Sequence, residues 1–336
     1  MTSAKTFRRV KTGLAAFLFV AAALLLAGWL YLDQAFDEPN EVEVARIVLI
    51  VPGSGVWRIA EALYEAQVIP DSNVFVAGVW QNGATADLKA GEYEFPAGAT
   101  PRQVMEIILS GKSVEHRLTV PEGLTSAEIG RLLANVEALG GEVDAIPPEG
   151  ALLPQTYFFR RGDSRAALLA RMEAGMAELI VELWPRRADG LPYETPEEAL
   201  VLASIVEKEA AIAAERRKVA GVFVNRLRKG MRLQSDPTVI FAVTGGVRPL
   251  KRPLSKADLA LDSSFNTYRH KGLPPAPIAH PGRESLAATL NPEVTDALYF
   301  VADGNGGHVF AATLKEHNKN VARWRRLQKE RAAGKP

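Results

Sequence analysis

No cysteine occurs among the 336 residues, which excludes disulfides, thiolate metal sites and cysteine nucleophiles and suits an oxidising compartment. Excess charge is missing as well. The net charge is +1, so no bulk electrostatic field advertises nucleic acid as a partner. The five histidines, His116, His270, His280, His308 and His317, form no i, i+4 pair and no HExxH, a pattern that disfavours a metal centre. The glycine-rich string GNGGH lacks the Lys-Ser/Thr of a P-loop, and no GxSxG marks a serine hydrolase. No metal and no other cofactor is expected.

What is present points to an anchored two-part protein. A content of 47% hydrophobic and 24% charged residues leaves room for a membrane anchor and two modest globular parts. Residues 13–32, GLAAFLFVAAALLLAGWLYL, carry no charge and reach about 30 Å as a helix, enough to cross a bilayer. Lys5, Arg8, Arg9 and Lys11 precede the run, and Asp33, Asp37, Glu38, Glu41 and Glu43 follow it. That bias predicts a cytoplasmic tail at residues 1–12, a single-pass helix at 13–32, and everything beyond across the membrane. A cleaved signal peptide is the rival reading, with an apolar core of only about 7–15 residues.

Three segments, IVLIVPGSG, YEFPAGA and LTVPEGL, share a β-prone run followed by Pro and Gly. Positions 8, 11 and 12 after each proline are apolar or aromatic: Ala60, Leu63 and Tyr64; Val104, Ile107 and Ile108; Ile129, Leu132 and Leu133. Those offsets are one face of a helix entered through a turn, so a strand-turn-helix unit is expected three times. The stretch GGEVDAIPPEG reads as a linker near residues 140–150. Beyond it the spacing predicts a helix over 165–183, another carrying Glu207 and Glu209, a third over 215–229 ended by Gly230, a buried strand at LYFVA, and a basic terminal helix over 314–329. The fold class expected is α+β.

The chemistry concentrates in residues 200–236. With 200–215 set on one helix, Leu202, Ile205, Val206 and Ile212 share a face that contains Glu209, while Glu207 points nearly the opposite way. An aliphatic setting raises a carboxyl pKa, as a general acid near neutral pH requires. The structural alternative is a surface helix, or a Glu209 ion pair with Arg216 or Arg226. Asn225, Gln234, Ser235, Asp236, Asn266 and Tyr268 supply hydrogen-bonding groups suited to a sugar, with the stiff GLPPAPI segment as a facing wall.

The ordered blocks LASIVEKE, VAGVFVNRLRKGMRLQSDPTVIFAV, FNTYRHKGLPPAPIAHPG, LYFVADGNGGHVF and EHN closely resemble the endolytic murein transglycosylase family, also called YceG-like, over residues 45–317. The resemblance implies a LysM-like βα region at 45–140 and a mixed helix/strand catalytic domain at 149–336. It implies Glu209 as the catalytic residue, and cleavage of peptidoglycan between N-acetylmuramic acid and N-acetylglucosamine within strands to leave 1,6-anhydro ends. A role in ending strand elongation, peptidoglycan synthases as partners and an inner-membrane location with a periplasmic body are implied as well. Two other readings stay open: a hydrolysing muramidase using Glu209 and Asp236, and an anchored glycan-binding scaffold with no catalysis.

Overall fold

A computed structural model of the protein describes residues 3–143, 145–210 and 212–334, the side chains of 3–12 and 332 excepted. Part of the expected cytoplasmic tail and the last two residues of the expected catalytic domain thus lie outside the described residues. The chain forms two compact units, residues 1–116 with 160–162, and residues 117–159 with 163–336.

The first unit begins with helix α1 (Ser3–Phe36), whose Gly13–Phe36 stretch is long and apolar enough to cross a membrane. The helix does not stop with the apolar run. Four residues on, Phe36 is 1% exposed, its ring 6.3 Å from that of Phe75. Arg102 holds the same end through Asp33 at 3.0 Å and Asp37 at 2.6 Å. Strand β1 (Arg46–Ile50), helices α2 (Val56–Glu65) and α3 (Ser72–Gln81), strand β2 (Gly91–Phe95) and helix α4 (Pro101–Ser110) follow. β1 and β2 pair antiparallel with Val48 opposite Tyr93. Alternation along β1 turns Val48 and Ile50 inward onto Ile59, Leu63, Tyr93 and Ile108. At the start of α4, Thr100 and Gln103 form a capping box around Pro101.

The second unit takes up strand β3 (Glu115–Thr119) from Arg117 on, helix α5 (Ser126–Ala134), strand β4 (Thr156–Arg160) up to Phe159, which pairs with β3, and helix α6 (Arg165–Leu183). Next come α7 (Pro196–Glu209), α8 (Arg216–Arg228), α9 (Asp236–Thr244), the short α10 (Lys256–Leu259) and α11 (Arg283–Leu290). The hairpin β5 (Tyr299–Ala302) and β6 (His308–Ala311) and helix α12 (Leu314–Ala332) close it. Each of the three strand-turn-helix segments forms a strand and then a helix: β1 and α2, β2 and α4, β3 and α5. Strand LYFVA is half-buried throughout rather than buried, because a two-stranded hairpin has one face open.

α7 is the centre of the second unit. Thr195 and Glu198 cap its start around Pro196, and the eight residues from Ala199 to Val206 are all buried. A helix apolar all round belongs inside a domain, and each of its Leu, Ile and Val side chains contributes about 1.5–3 kcal/mol by burial. They pack on Val219 and Phe223 of α8 and on Leu286 and Leu290 of α11.

Candidate active site

The expected helix over 200–215 is two elements. α7 ends at Glu209, Ala210 turns away at φ −90° and ψ 90°, and a single 3₁₀ turn at Ala213–Glu215 precedes α8. Ile212 therefore does not share a helical face with Glu209, and since residues 199–206 are buried on every side, the face does not separate the two glutamates. What separates them is their partners.

Glu207 is not directed to solvent. Its carboxylate accepts from the Gly282 N–H at 2.9 Å and from Arg216 Nη2 at 3.4 Å, with a side chain only 6% exposed. Arg216 also meets Glu122 at 3.1 Å. A Cβ at Gly282 would stand 1.8 Å from Glu122 Oε1, so any larger residue there would push the Glu122 side chain aside. The neighbouring Lys208 donates to the Gly123 carbonyl at 3.0 Å. Glu207 and Lys208 thus tie the end of α7 to the loops around residues 122 and 282.

Glu209 occupies a different environment. Its Oε1 accepts from Ser235 Oγ at 2.6 Å, and among the described residues Oε2 has no hydrogen-bond partner. Burial raises its pKa above the usual carboxylate range, against the Ser235 hydrogen bond, and the negative charge of Asp236 adds to the rise. The positive charges of His308 and Arg226 act the other way. Arg226 is 6% exposed, donates to the Leu298 and Leu233 carbonyls at 2.6 Å each, and lies over the Tyr299 ring at 5.3 Å. His308 is held by Glu215, with Nδ1 at 2.7 Å from its carboxylate.

The 234–238 and 266–268 segments grip each other beside Glu209. Gln234 N donates to the Thr267 carbonyl at 3.1 Å, Ser235 N to Thr267 Oγ1 at 3.0 Å, and Thr238 and Thr267 hydroxyls meet at 2.8 Å. Gln234 takes φ +52°, a left-handed conformation uncommon outside glycine and Asn, and one that often marks functional loops. Asp236 opens α9 and accepts from Tyr268 Oη at 2.6 Å. Burial, then the Asp236 carboxylate, raises the Tyr268 pKa, so the phenol stays a donor.

Of the residues expected at the site, Glu209, Ser235, Asp236 and Tyr268 come together, with Gln234 as the bent neighbour of Ser235. Asn225 and Asn266 are placed otherwise. Asn225 Nδ2 donates to the carbonyls of Thr295 at 2.7 Å and Ala297 at 3.2 Å. Asn266 is fully buried, donating to Leu259 and Leu261 carbonyls and accepting from Tyr268 N at 3.0 Å. Each spends its amide on a loop backbone. Thr238 and His308 take part unannounced, since only their distant partners reveal their role.

A family model described as "YceG-like family" matches residues 48–323. The chain belongs to the YceG-like family. Among relatives of this YceG-like chain is an endolytic murein transglycosylase of Bacillus subtilis (strain 168), 33% identical over 329 residues, covering 88% of this chain and 90% of the relative. Another, from Streptococcus pneumoniae serotype 2 (strain D39 / NCTC 7466) and with the same name, is 28% identical over 366 residues, covering 93% of this chain and 65% of the relative. A solved YceG-like protein from Listeria monocytogenes superposes with a TM-score of 0.52 at 32% identity, over 82% of this chain and 98% of that one.

Proposed function

We propose that this protein is an endolytic lytic transglycosylase, a carbon–oxygen lyase that cuts murein glycan strands internally with Glu209 as acid and then base. The observation that carries the reading is a carboxyl at the end of a buried helix whose ionised form burial disfavours, one oxygen taken by Ser235 and the other without a partner among the described residues. Membership of a family whose relatives are named for that activity supports it.

With Ser235 donating to Oε1, the transferable proton sits on Oε2. Glu209 gives it to the glycosidic oxygen as the C1–O bond of the N-acetylmuramic acid breaks, then accepts the proton of that sugar's own 6-hydroxyl as its oxygen bonds to C1. The product is a 1,6-anhydro end, and no water enters. Arg226 and His308 favour the carboxylate formed midway. Asp236 and Tyr268, locked together, present polar atoms to the sugar, while Asn225 and Asn266 hold the loops that shape the cleft.

The same reading puts the enzyme in the inner membrane, anchored by residues 13–32 with the tail at 1–12 cytoplasmic and the body periplasmic. There it works beside peptidoglycan synthases and ends the elongation of new strands. The order β1, α2, α3, β2 with an antiparallel strand pair supports a LysM-like glycan-binding region within 45–140, ahead of a catalytic domain at 149–336. Trp57 and Trp80, half-exposed and edge to face at 6.3 Å, offer apolar ring surface to a sugar. Digestion of purified sacculi followed by mass spectrometry tests the activity: anhydro ends are lighter than reducing ends by one water. Reducing ends alone would move the assignment to hydrolysis with Asp236 as the second acid.

A further inference from the structure

α9 has chemistry at both ends. Its first residue is Asp236, bonded to Tyr268 beside Glu209; its last, Thr244, opens onto a groove of about 870 Å³. Val243, Val247, Leu250 and the aliphatic part of Pro249 give the groove an apolar floor, and Arg131, Arg248, Lys251 and Arg252 line it, with no carboxylate among the lining residues. One of those cations is neutralised and another is tied to the backbone. Arg252 is bidentate to Asp258, at 2.5 and 3.0 Å, and Arg131 donates to the Val247 carbonyl at 2.8 Å. Arg248 and Lys251 are exposed and meet no carboxylate among the described residues.

The loop that carries them is held, not loose. Gly245 and Gly246 turn the chain out of α9 at φ +61° and +72°, and Thr125 Oγ1 donates to the Gly246 carbonyl at 2.7 Å. Pro249 and Pro253 then fix the backbone on either side of Lys251. Two free cations over an apolar floor in a preformed concavity suit a single chain that carries carboxylates and small apolar side chains. A bilayer surface is flat and would not enter the groove.

We propose that this groove takes the acidic peptide stem of a murein strand whose glycan lies at Glu209, with Arg248 and Lys251 meeting stem carboxylates. The inference rests on the transglycosylase reading above. The span fits: eight residue steps of α9 at 1.5 Å put the groove about 12 Å from Asp236, the reach of a few sugars along the strand. A stem at the groove fixes which bond of the strand lies against Glu209, so the stem selects the cleavage position.

The test measures binding of soluble murein oligosaccharides, with stems intact or removed by an amidase, to full-length Glu209→Gln protein with and without Arg248→Ala and Lys251→Ala. Intact oligosaccharide should bind the double variant about two- to twenty-fold more weakly, the effect of two exposed ion pairs, with stripped oligosaccharide unchanged and the difference shrinking in high salt. Cleavage of stripped strands by protein carrying only the two alanines should match wild type. Equal loss for both ligands, no loss for either, or a loss seen only with phosphatidylglycerol vesicles overturns the stem site while the enzyme reading stands. Absence of both cleavage and binding of either glycan removes the enzyme reading, and the stem site with it.

Discussion

Glu207→Gln and Glu209→Gln should fail in opposite ways. Glu209→Gln keeps the shape and an oxygen for the Ser235 hydroxyl but has no proton to give, so turnover should fall by at least the roughly 10²- to 10⁴-fold of general acid catalysis. Its stability should hold or rise. A carboxyl whose folded pKa is raised loses stability as pH climbs from its unfolded value through its folded one, and the uncharged amide removes that cost near pH 7. Glu207→Gln retains an acceptor for Gly282 N–H but removes the charge facing Arg216. Breaking a buried pair costs about 3–5 kcal/mol; Arg216 keeps Glu122 as a partner, so the loss of one charged hydrogen bond, about 1.5–3 kcal/mol, is the better estimate. At roughly 2–4 °C per kcal/mol for a unit of this size, the melting temperature should drop by about 3–12 °C. Muropeptide release from sacculi reads the first effect and differential scanning calorimetry the second. A Glu207→Gln protein with unchanged melting temperature and no activity, beside an active Glu209→Gln, would refute both assignments.

Acid should unfold the second unit partly through His280. Burial pushes it down to about 4, with Ser126 Oγ at 3.0 Å, Leu152 N at 3.1 Å and Glu149 at 3.6 Å around the ring. Its contribution is complete above its unfolded pKa near 6.5 and lost as pH falls through about 4, up to roughly 3 kcal/mol. Melting temperatures of wild type and His280→Gln should therefore converge between pH 7 and pH 4. Gly78→Ala should destabilise the first unit by about 1–3 kcal/mol in denaturant titrations, since its Cβ would lie 2.3 Å from the Phe36 ring. A reporter fused after the last residue should be active only where export permits; cytoplasmic activity would remove the proposed topology and its substrate together.

Much of this architecture is legible in sequence because local signals agree with the fold. Ser164 caps α6, and the expected 165–183 matches Arg165–Leu183. Gly230, at φ +60°, follows the last turn of α8. The end of α7 is not legible. The string AAIAAE has high helix propensity and no breaker, yet the helix stops at Glu209, where the contacts of Lys208 with Gly123 and of Ser235 with Glu209 hold the chain. Those partners lie 85 and 26 residues away, so no window of sequence displays them. The same distance hides the burial of Glu207. Asn225 and Asn266 mislead for a related reason: an amide that binds a sugar and an amide that binds a loop carbonyl look alike until the loop is in place.

The threefold strand-helix pattern has a bearing on how the chain can be divided. Its third member straddles the border between the two units, and α5 buries Ile129 and Leu133 against Leu152, Tyr157, Leu168 and Met172. A fragment cut at residue 140 would carry that helix stripped of its partners, greasy side outward. A cut at 116 would leave behind Arg161, which donates to Glu92 at 2.8 Å. Truncation at 140 yields a piece prone to clump, and truncation at 116 one that has lost a cation from its Glu92 cluster. Glycan-binding measurements on the first piece would report on its own stickiness, whereas point changes at Trp57 or Trp80 in the whole chain leave both units their native borders.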